Sequence, residues 1–313
     1  MPAVRRLVDG NHGGETVLHA RPQMRRLLAE VFPETLVVAS RHRAFPLGSA
    51  RRLRRGGGRF AVGVTLRHSA RAKILMRLTS RWTVGSVGEG AVLLLSRSGH
   101  VDRRRHQLFD SDTVLEALGL PGADARWRPA LPETLRDEGA AVLGRAGLTS
   151  GALVGIAPAS ARGGAKRWPA ENYGRLARKL VDGGLRPVIL VGPEEEVIAE
   201  EVLAAADSRV PVVGPRLDVA ALAGLVAQLR AMVCNDSGPM HLAAFFGTPV
   251  VAVFGPTDPS RTGPMGEGND LLCRRLRCAP CTAFQCPLGH HDCMDRISVE
   301  EVEASLLRVL SRD

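Results

Sequence analysis

Met232-Val233-Cys234-Asn235-Asp236-Ser237-Gly238-Pro239-Met240-His241 reads as a short apolar strand, a polar turn and the opening of a helix that runs to Phe246. Ser237 and Gly238 stand at the helix start, where unpaired N–H groups and the positive end of the dipole suit an anion such as phosphate. Gly238 leaves room for close approach to the backbone, the Ser237 hydroxyl offers a further donor, and His241 lies one turn on. Strand and helix alternate outward from this segment. Leu153–Ala157 is a buried-type strand, and a loop over 158–168 leads through Pro169 into a helix. Tyr173, Leu176, Ala177, Leu180 and Val181 form that helix's apolar stripe, which Gly183-Gly184 ends. Pro187–Val191 is the next strand, Glu194–Ala206 a helix, Val210–Val213 a strand, Asp218 the cap of a helix to Leu229, and Val250–Phe254 a further strand. Such alternation with short links predicts a parallel sheet with helices on both faces. Lys166, in the loop after a neighbouring strand, would put a positive charge beside the Ser237 turn.

The first half is fainter but also α/β. Val4–Val8 suggests a strand, 16–32 a helix, and Thr35–Ala39, Phe60–Leu66 and Ala91–Leu95 three more strands. A polar, Pro- and Gly-containing stretch over Pro121–Leu148 reads as the linker. With 313 residues the expectation is two doubly wound domains, 1–148 and 149–313, facing across a cleft.

Composition narrows the class. Hydrophobic residues make up 45% of the chain, and no run approaches the roughly 18–20 apolar residues of a membrane span. Nothing resembling a signal peptide follows Val4-Arg5-Arg6, so a cytoplasmic protein is expected, with attachment to a membrane surface compatible. Residues 1–150 hold 25 Lys+Arg against 13 Asp+Glu, a net +12, whereas the remainder holds 17 against 19. That excess suits an anionic partner, although an Arg-rich compositional bias is an equal explanation. Nucleic acid is disfavoured, because aromatics are 4% of the chain and no stacking platform is visible. Five of the six cysteines fall between Cys273 and Cys293. Cys278, Cys281, Cys286 and Cys293, near His290 and His291, could form a structural zinc site; free thiols packing a loop, or a disulfide, are the alternatives.

Several stretches together carry a resemblance: Pro158-Ala159-Ser160 with Lys166-Arg167-Trp168-Pro169, the run 235–259 (NDSGPMHLAAFFGTPVVAVFGPTDP), and the cysteine tail 278–294 (CAPCTAFQCPLGHHDCM). In these the chain resembles the family 9 glycosyltransferases, the lipopolysaccharide heptosyltransferases. Arg59-Phe60 with its strand, His68-Ser69-Ala70-Arg71, and Gly85 near Arg81 extend the likeness thinly into the first half. The resemblance implies the GT-B architecture, with two Rossmann-like domains, acceptor on the first and nucleotide-sugar on the second. It also implies inverting transfer of a heptose from ADP-heptose to a sugar hydroxyl of the lipopolysaccharide inner core, without an obligatory metal or other cofactor. The partners would be the nucleotide-sugar, a phosphorylated lipid-linked saccharide and the inner-membrane surface. Ser160 and Lys166 would meet the donor phosphates; Asp236, Ser237, Gly238 and His241 would hold diphosphate and heptose; and Glu196, with Glu194 and Glu195 as rivals, would reach the ribose. Ser69 would belong to the acceptor loop, with Arg67, Arg71 and Lys73 as contacts for acceptor phosphate.

Two positions depart from the family's pattern. Its catalytic Asp follows a Gly after the first strand, and here Gly14-Glu15 stands in that place, making Glu15 the expected base. The extra methylene shifts the carboxylate by roughly an ångström, enough to cost about a hundredfold in rate. Pro239 replaces the usual Leu and removes one N–H from the anion site, within the first turn where Pro is tolerated. Alternatives are a different nucleotide-sugar, or a degenerate protein that binds one without turnover.

Overall fold

The computed structural model describes the whole chain except residues 12, 41–45, 55–57, 89, 91, 150, 162, 208–209 and 313. It divides into two compact units, Met1–Trp127 and Arg128–Asp313.

In the first unit, Val4, Leu7 and Val8 recur at helical spacing, and Pro2–Asp9 (α1) is a helix, correcting the strand expected over Val4–Val8. The helix expected over 16–32 is likewise divided. Val17–Ala20 (β1) is a strand, Pro22–Met24 a 3-10 turn, and Arg25–Val31 (α2) the helix, since Pro22 is compatible with a helical start and not with an interior. Leu36–Ala39 (β2) pairs parallel with β1. Pro46–Leu53 (α3), Phe60–Thr65 (β3), Ala70–Thr79 (α4), Ser80–Ser86 (β4), Arg97–Gly99 (β5) and Asp112–Ala117 (α5) follow. β3, β4 and β5 form a second parallel sheet in that order. Of the strand expected over Ala91–Leu95, residue 91 lies outside the described residues and Val92–Leu94 is a 3-10 turn, with Leu93 96% exposed and so without the burial a strand there would need.

The second unit begins with Glu133–Arg145 (α6), a helix inside the stretch expected to be a linker. Leu153–Ala157 (β6), Ala170–Asp182 (α7), Arg186–Leu190 (β7), Glu196–Ala205 (α8), Val212–Val213 (β8), Val219–Val226 (α9) and Ala231–Asn235 (β9) come next. Gly238–Phe245 (α10), Val250–Phe254 (β10), Pro259–Thr262 (α11), Asp270–Cys273 (β11), Asp292–Asp295 (α12) and Val299–Leu310 (α13) complete it. The six strands are all parallel in the order β11-β10-β9-β6-β7-β8. Residues alternate cleanly between its faces. Val154, Ile156, Val233, Val251 and Val253 pack with Tyr173, Leu176 and Leu306 on one side. Leu153, Ala157, Met232, Ala252 and Phe254 pack with Val142, Leu225 and Ala243 on the other. A sheet buried on both faces requires continuous apolar runs, which is how β6, β9 and β10 read.

The boundary falls before Arg128 rather than at 148/149 because α6 packs against α9 at backbone distance. A Cβ on Gly224 would lie 1.8 Å from the Leu135 carbonyl oxygen, and one on Gly139 would lie 2.2 Å from the Gly224 carbonyl carbon. Only glycine permits that crossing, and Leu135, Val142 and Leu143 are buried beside it.

Candidate functional site

Strand order in the second unit reverses between β6 and β9, and ligands of doubly wound sheets bind at the carboxyl ends beside such a switch point. The loop from Pro158 to Trp168 follows β6, and Asp236-Ser237 follows β9. Asn235 joins the two. Fully buried, its Oδ1 accepts from the Trp168 N–H (2.9 Å) and the Tyr173 hydroxyl (3.0 Å), while its Nδ2 donates to the Pro158 carbonyl (2.7 Å). Every donor or acceptor meeting Asn235 is thereby satisfied without water. Trp168 is anchored further by its indole N–H on the Ile297 carbonyl at 2.9 Å.

With the loop pinned, the Lys166 ammonium donates to Asp236 Oδ2, an ion pair in which the side chains are only 11% and 6% exposed. Thr257 Oγ1 donates to the same oxygen at 2.7 Å, and Thr262 Oγ1 lies 3.4 Å away. Both threonines sit beyond β10, so the carboxyl ends of three adjacent strands meet at one carboxylate. Ser237 is the N-cap of α10, yet its side chain makes no capping bond and its Oγ is buried without a partner among the described residues. Gly238 is exposed, and a Cβ added there would meet open space within 4 Å. The backbone opening α10 at Gly238 is therefore accessible to an anion that its free amides could bind. His241 lies half-buried in the first turn and Ser160 is buried near the start of the loop after β6. Burial, then the nearby Asp236 charge, pushes the Cys234 thiol far above its ordinary range, so it is no nucleophile.

Other expected residues fall differently. Glu195, not Glu196, turns into the loop after β7, accepting from the Gly192 N–H at 2.6 Å, while Glu196 is exposed at the first turn of α8. Lys73 is fully buried and donates to the carbonyls of Gly88 and Gly90 (the latter at 2.8 Å), so it is not a surface contact for acceptor phosphate. Arg67 and Arg71 are exposed, and Ser69 stands at the N-cap position of α4 without a side-chain capping bond. Glu15 is exposed on the segment leading into β1. Because Val4–Val8 is helical, Glu15 precedes the first strand instead of following it, at the strand's amino end.

The cysteine tail buttresses the site. The Ala165 N–H donates to the Phe284 carbonyl (3.1 Å), and His291 Nε2 lies 3.1 Å from the Ala165 carbonyl oxygen, directly before Lys166. Cys278, Cys281, Cys286 and Cys293 line one small pocket with His290 and His291. Among the described residues no three such side chains stand together within reach of a common metal ion, and none of the four thiols is in a disulfide. The backbone N–H of His291, followed by those of Leu288, Gly289 and His290, hydrogen-bonds the Cys286 sulfur and lowers its pKa; burial first, then the neighbouring thiols, raises that of Cys293 to about 11.

Asn235 lay inside the quoted motif but its pinning role needed the fold; Thr257 and Thr262 were missed, the only signal being the Gly255-Pro256-Thr257-Asp258-Pro259 run after a strand. Residues 50–291 match the family model for glycosyltransferase family 9 (heptosyltransferase). Lipooligosaccharide heptosyltransferase 2 of Campylobacter jejuni is 31% identical over 154 residues, 48% of this chain and 48% of that protein. The chain thus spans about half the length of the curated relatives it matches. Among solved structures, the family 9 glycosyl transferase of Veillonella parvula superposes with a TM-score of 0.87 at 21% identity, covering 100% of this chain and 93% of that one. The E. coli ADP-heptose lps heptosyltransferase II does so at 0.81 and 22%, covering 99% and 94%. These likenesses show the fold, α/β of the GT-B type, and the family match covers more than half of the chain. The chain belongs to glycosyltransferase family 9.

Proposed function

We propose that the second unit binds an ADP-activated heptose and that the chain transfers the heptose, with inversion, to a sugar hydroxyl of the lipopolysaccharide inner core. The observation that carries this reading is the convergence of Lys166, Asp236 and the amino end of α10 at the sheet's switch point. Lys166 and the α10 amides offer the positive charge that a departing diphosphate needs, in place of a divalent ion. The diphosphate competes with Asp236 for Lys166; Thr257 and Thr262 keep the carboxylate partnered when the lysine turns away. Asp236, an acceptor only, then suits heptose hydroxyls rather than phosphate. The E. coli neighbour named for ADP-heptose, and the Campylobacter heptosyltransferase, support the choice of donor and acceptor.

The acceptor is a phosphorylated, lipid-linked saccharide held by the first unit, with Arg67 and Arg71 exposed for its phosphates. The work is done at the cytoplasmic face of the inner membrane; among the described residues no helix is long and apolar enough to cross it. Calorimetry with ADP-, GDP- and UDP-sugars tests the reading. ADP-heptose is expected to bind most tightly, and the absence of an ADP preference sinks the heptosyl assignment. The place of Glu15 ahead of β1 favours one rival, a nucleotide-sugar-binding protein without turnover. Donor-dependent ADP release would eliminate it.

A further inference from the structure

Within the first unit, uncovered apolar side chains meet uncompensated positive charge at one end of the three-stranded sheet. Val62 and Trp82 stand side by side in the amino halves of β3 and β4, 47% and 62% exposed. On the opposite face of β4, Thr83 Oγ1 donates to the Leu94 carbonyl at 2.7 Å and so ties down the Val92–Leu94 turn, which holds up Leu93, almost fully exposed. The rim is thus apolar on both sides of β4. Arginines surround it. Arg59 directly precedes β3 and donates to the carbonyl of Arg77 in the last turn of α4, and Arg81 precedes Trp82. All three are exposed, and among the described residues none is paired with a carboxylate. The sequence explains why: residues 35–101 hold 13 Lys+Arg against a single acid, Glu89, a net +12. Outside that stretch the chain holds 29 against 31. A uniform compositional bias toward Arg would not leave the remainder slightly acidic.

An exposed apolar patch marks a surface that meets a partner, and its surround says which kind. A second copy docking here about a two-fold axis would set these arginines against their own equivalents. Nucleic acid would use the cations but gains nothing from exposed Val and Leu, and one exposed indole is no stacking platform. A bilayer with anionic headgroups uses both. Indoles settle at headgroup level, aliphatic tips reach the acyl boundary, and basic side chains are drawn to the negative surface. We propose that this rim is the surface by which the chain docks on an anionic lipid bilayer, with Trp82, Val62 and Leu93 entering the headgroup region and Arg59, Arg77 and Arg81 meeting lipid phosphates. The proposal deepens the transferase reading above, which puts the work at a membrane, and its test needs no nucleotide-sugar.

Flotation with mixed phosphatidylethanolamine and phosphatidylglycerol vesicles measures docking, with phosphatidylcholine vesicles as the neutral counterpart. The wild-type chain is expected to float with the anionic vesicles alone, and less as salt screens the arginines. Each Arg near such a surface strengthens binding about fivefold, so Arg59→Gln, Arg77→Gln and Arg81→Gln together are expected to weaken it about 100-fold. Trp82→Ser and Leu93→Ser should each weaken it about tenfold. Both side chains are exposed, so thermal unfolding should stay as in wild type; Leu93→Ser, the more exposed, carries the test if Trp82→Ser misfolds. Anionic vesicles with brominated acyl chains should quench the wild-type tryptophan fluorescence and leave that of Trp82→Phe largely unquenched. No flotation with anionic vesicles, equal flotation of the wild type and the folded variants, or equal quenching in Trp82→Phe would overturn the proposal. So would a dimer in solution that Leu93→Ser or Trp82→Ser dissociates, since a second copy would then occupy the rim. Vesicle binding without ADP-sugar binding would instead remove the transferase reading and leave the docking surface in place.

Discussion

Replacing Asn235 by Ala should loosen the donor site and the fold around it together. The change removes three buried hydrogen bonds and leaves the Trp168 N–H, the Tyr173 hydroxyl and the Pro158 carbonyl facing a void. Each stranded donor costs about 1–3 kcal/mol, and a water admitted into the space recovers part of that, so the loss is about 3 kcal/mol. Urea unfolding followed by the fluorescence of Trp168, with Trp82 and Trp127 replaced by Phe, measures it directly. Because the Pro158–Trp168 loop carries Lys166, ADP-sugar affinity should fall about tenfold or more, equivalent to about 1.4 kcal/mol. Asn235→Asp adds a sign that packing loss alone cannot produce. The introduced carboxyl must be protonated to donate to the Pro158 carbonyl, so its pKa in the folded chain is raised above the unfolded value of about 3.9. Its native-like bonding is complete below that value and is lost as pH rises through the folded pKa. The variant should therefore approach wild-type stability below about pH 4 and fall behind it at neutral pH. A loss under about 1 kcal/mol in Asn235→Ala, with donor affinity intact, would refute the idea that this residue holds the loop.

Three further outcomes are expected. Lys166→Met strands a buried carboxylate; such breakage costs about 3–5 kcal/mol, less about 1 for each threonine bond that remains, so about 2 kcal/mol should be lost. Adding Asp236→Asn should recover part of this stability but not the ADP-sugar binding, whereas additive stability losses in the double variant would deny the ion pair. Glu15→Ala should keep turnover within a few-fold, as measured by ADP release, since the residue lies at the amino end of β1; a loss of 100-fold would restore it as the base. Thiol titration with a chromogenic disulfide should show Cys286 reacting fastest and retaining reactivity as pH falls below the ordinary thiol range, because four backbone N–H groups favour its thiolate. Survival of the fast phase in Cys286→Ser, or thiols that stay silent until a chelator extracts a metal, would contradict this.

The second unit was legible because a sheet covered on both faces demands unbroken apolar strands, and helices such as α9 announce themselves with a cap at Asp218. The first unit was not, since its strands are short and partly exposed. In β1 every residue keeps some exposure, and Val62 and Trp82, paired across β3 and β4, are 47% and 62% exposed. Val4–Val8 misled because a five-residue window with apolar residues at i, i+3 and i+4 is too short for its period to separate helix from strand. The donor site showed its residue types in sequence but not its pairings. Lys166 and Asp236 are 70 positions apart, and no local rule predicts that one neutralises the other. Lys73 was expected to contact acceptor phosphate, but it is buried: lysine is almost never fully buried unless, as here, backbone carbonyls are supplied for it.

The glycine crossing of α6 and α9 bears on how pieces of such proteins can be exchanged. A chimera joined at residue 148 would pair an α6 from one parent with an α9 from another. Any side chain at 139 or 224 would then collide with backbone across the seam. A join just ahead of Arg128 keeps both glycines from one parent and leaves α9 packed against its own α6. Under the function proposed above, a transplant of residues 1–127 would carry the acceptor-binding half, with the apparent linker staying with the second unit.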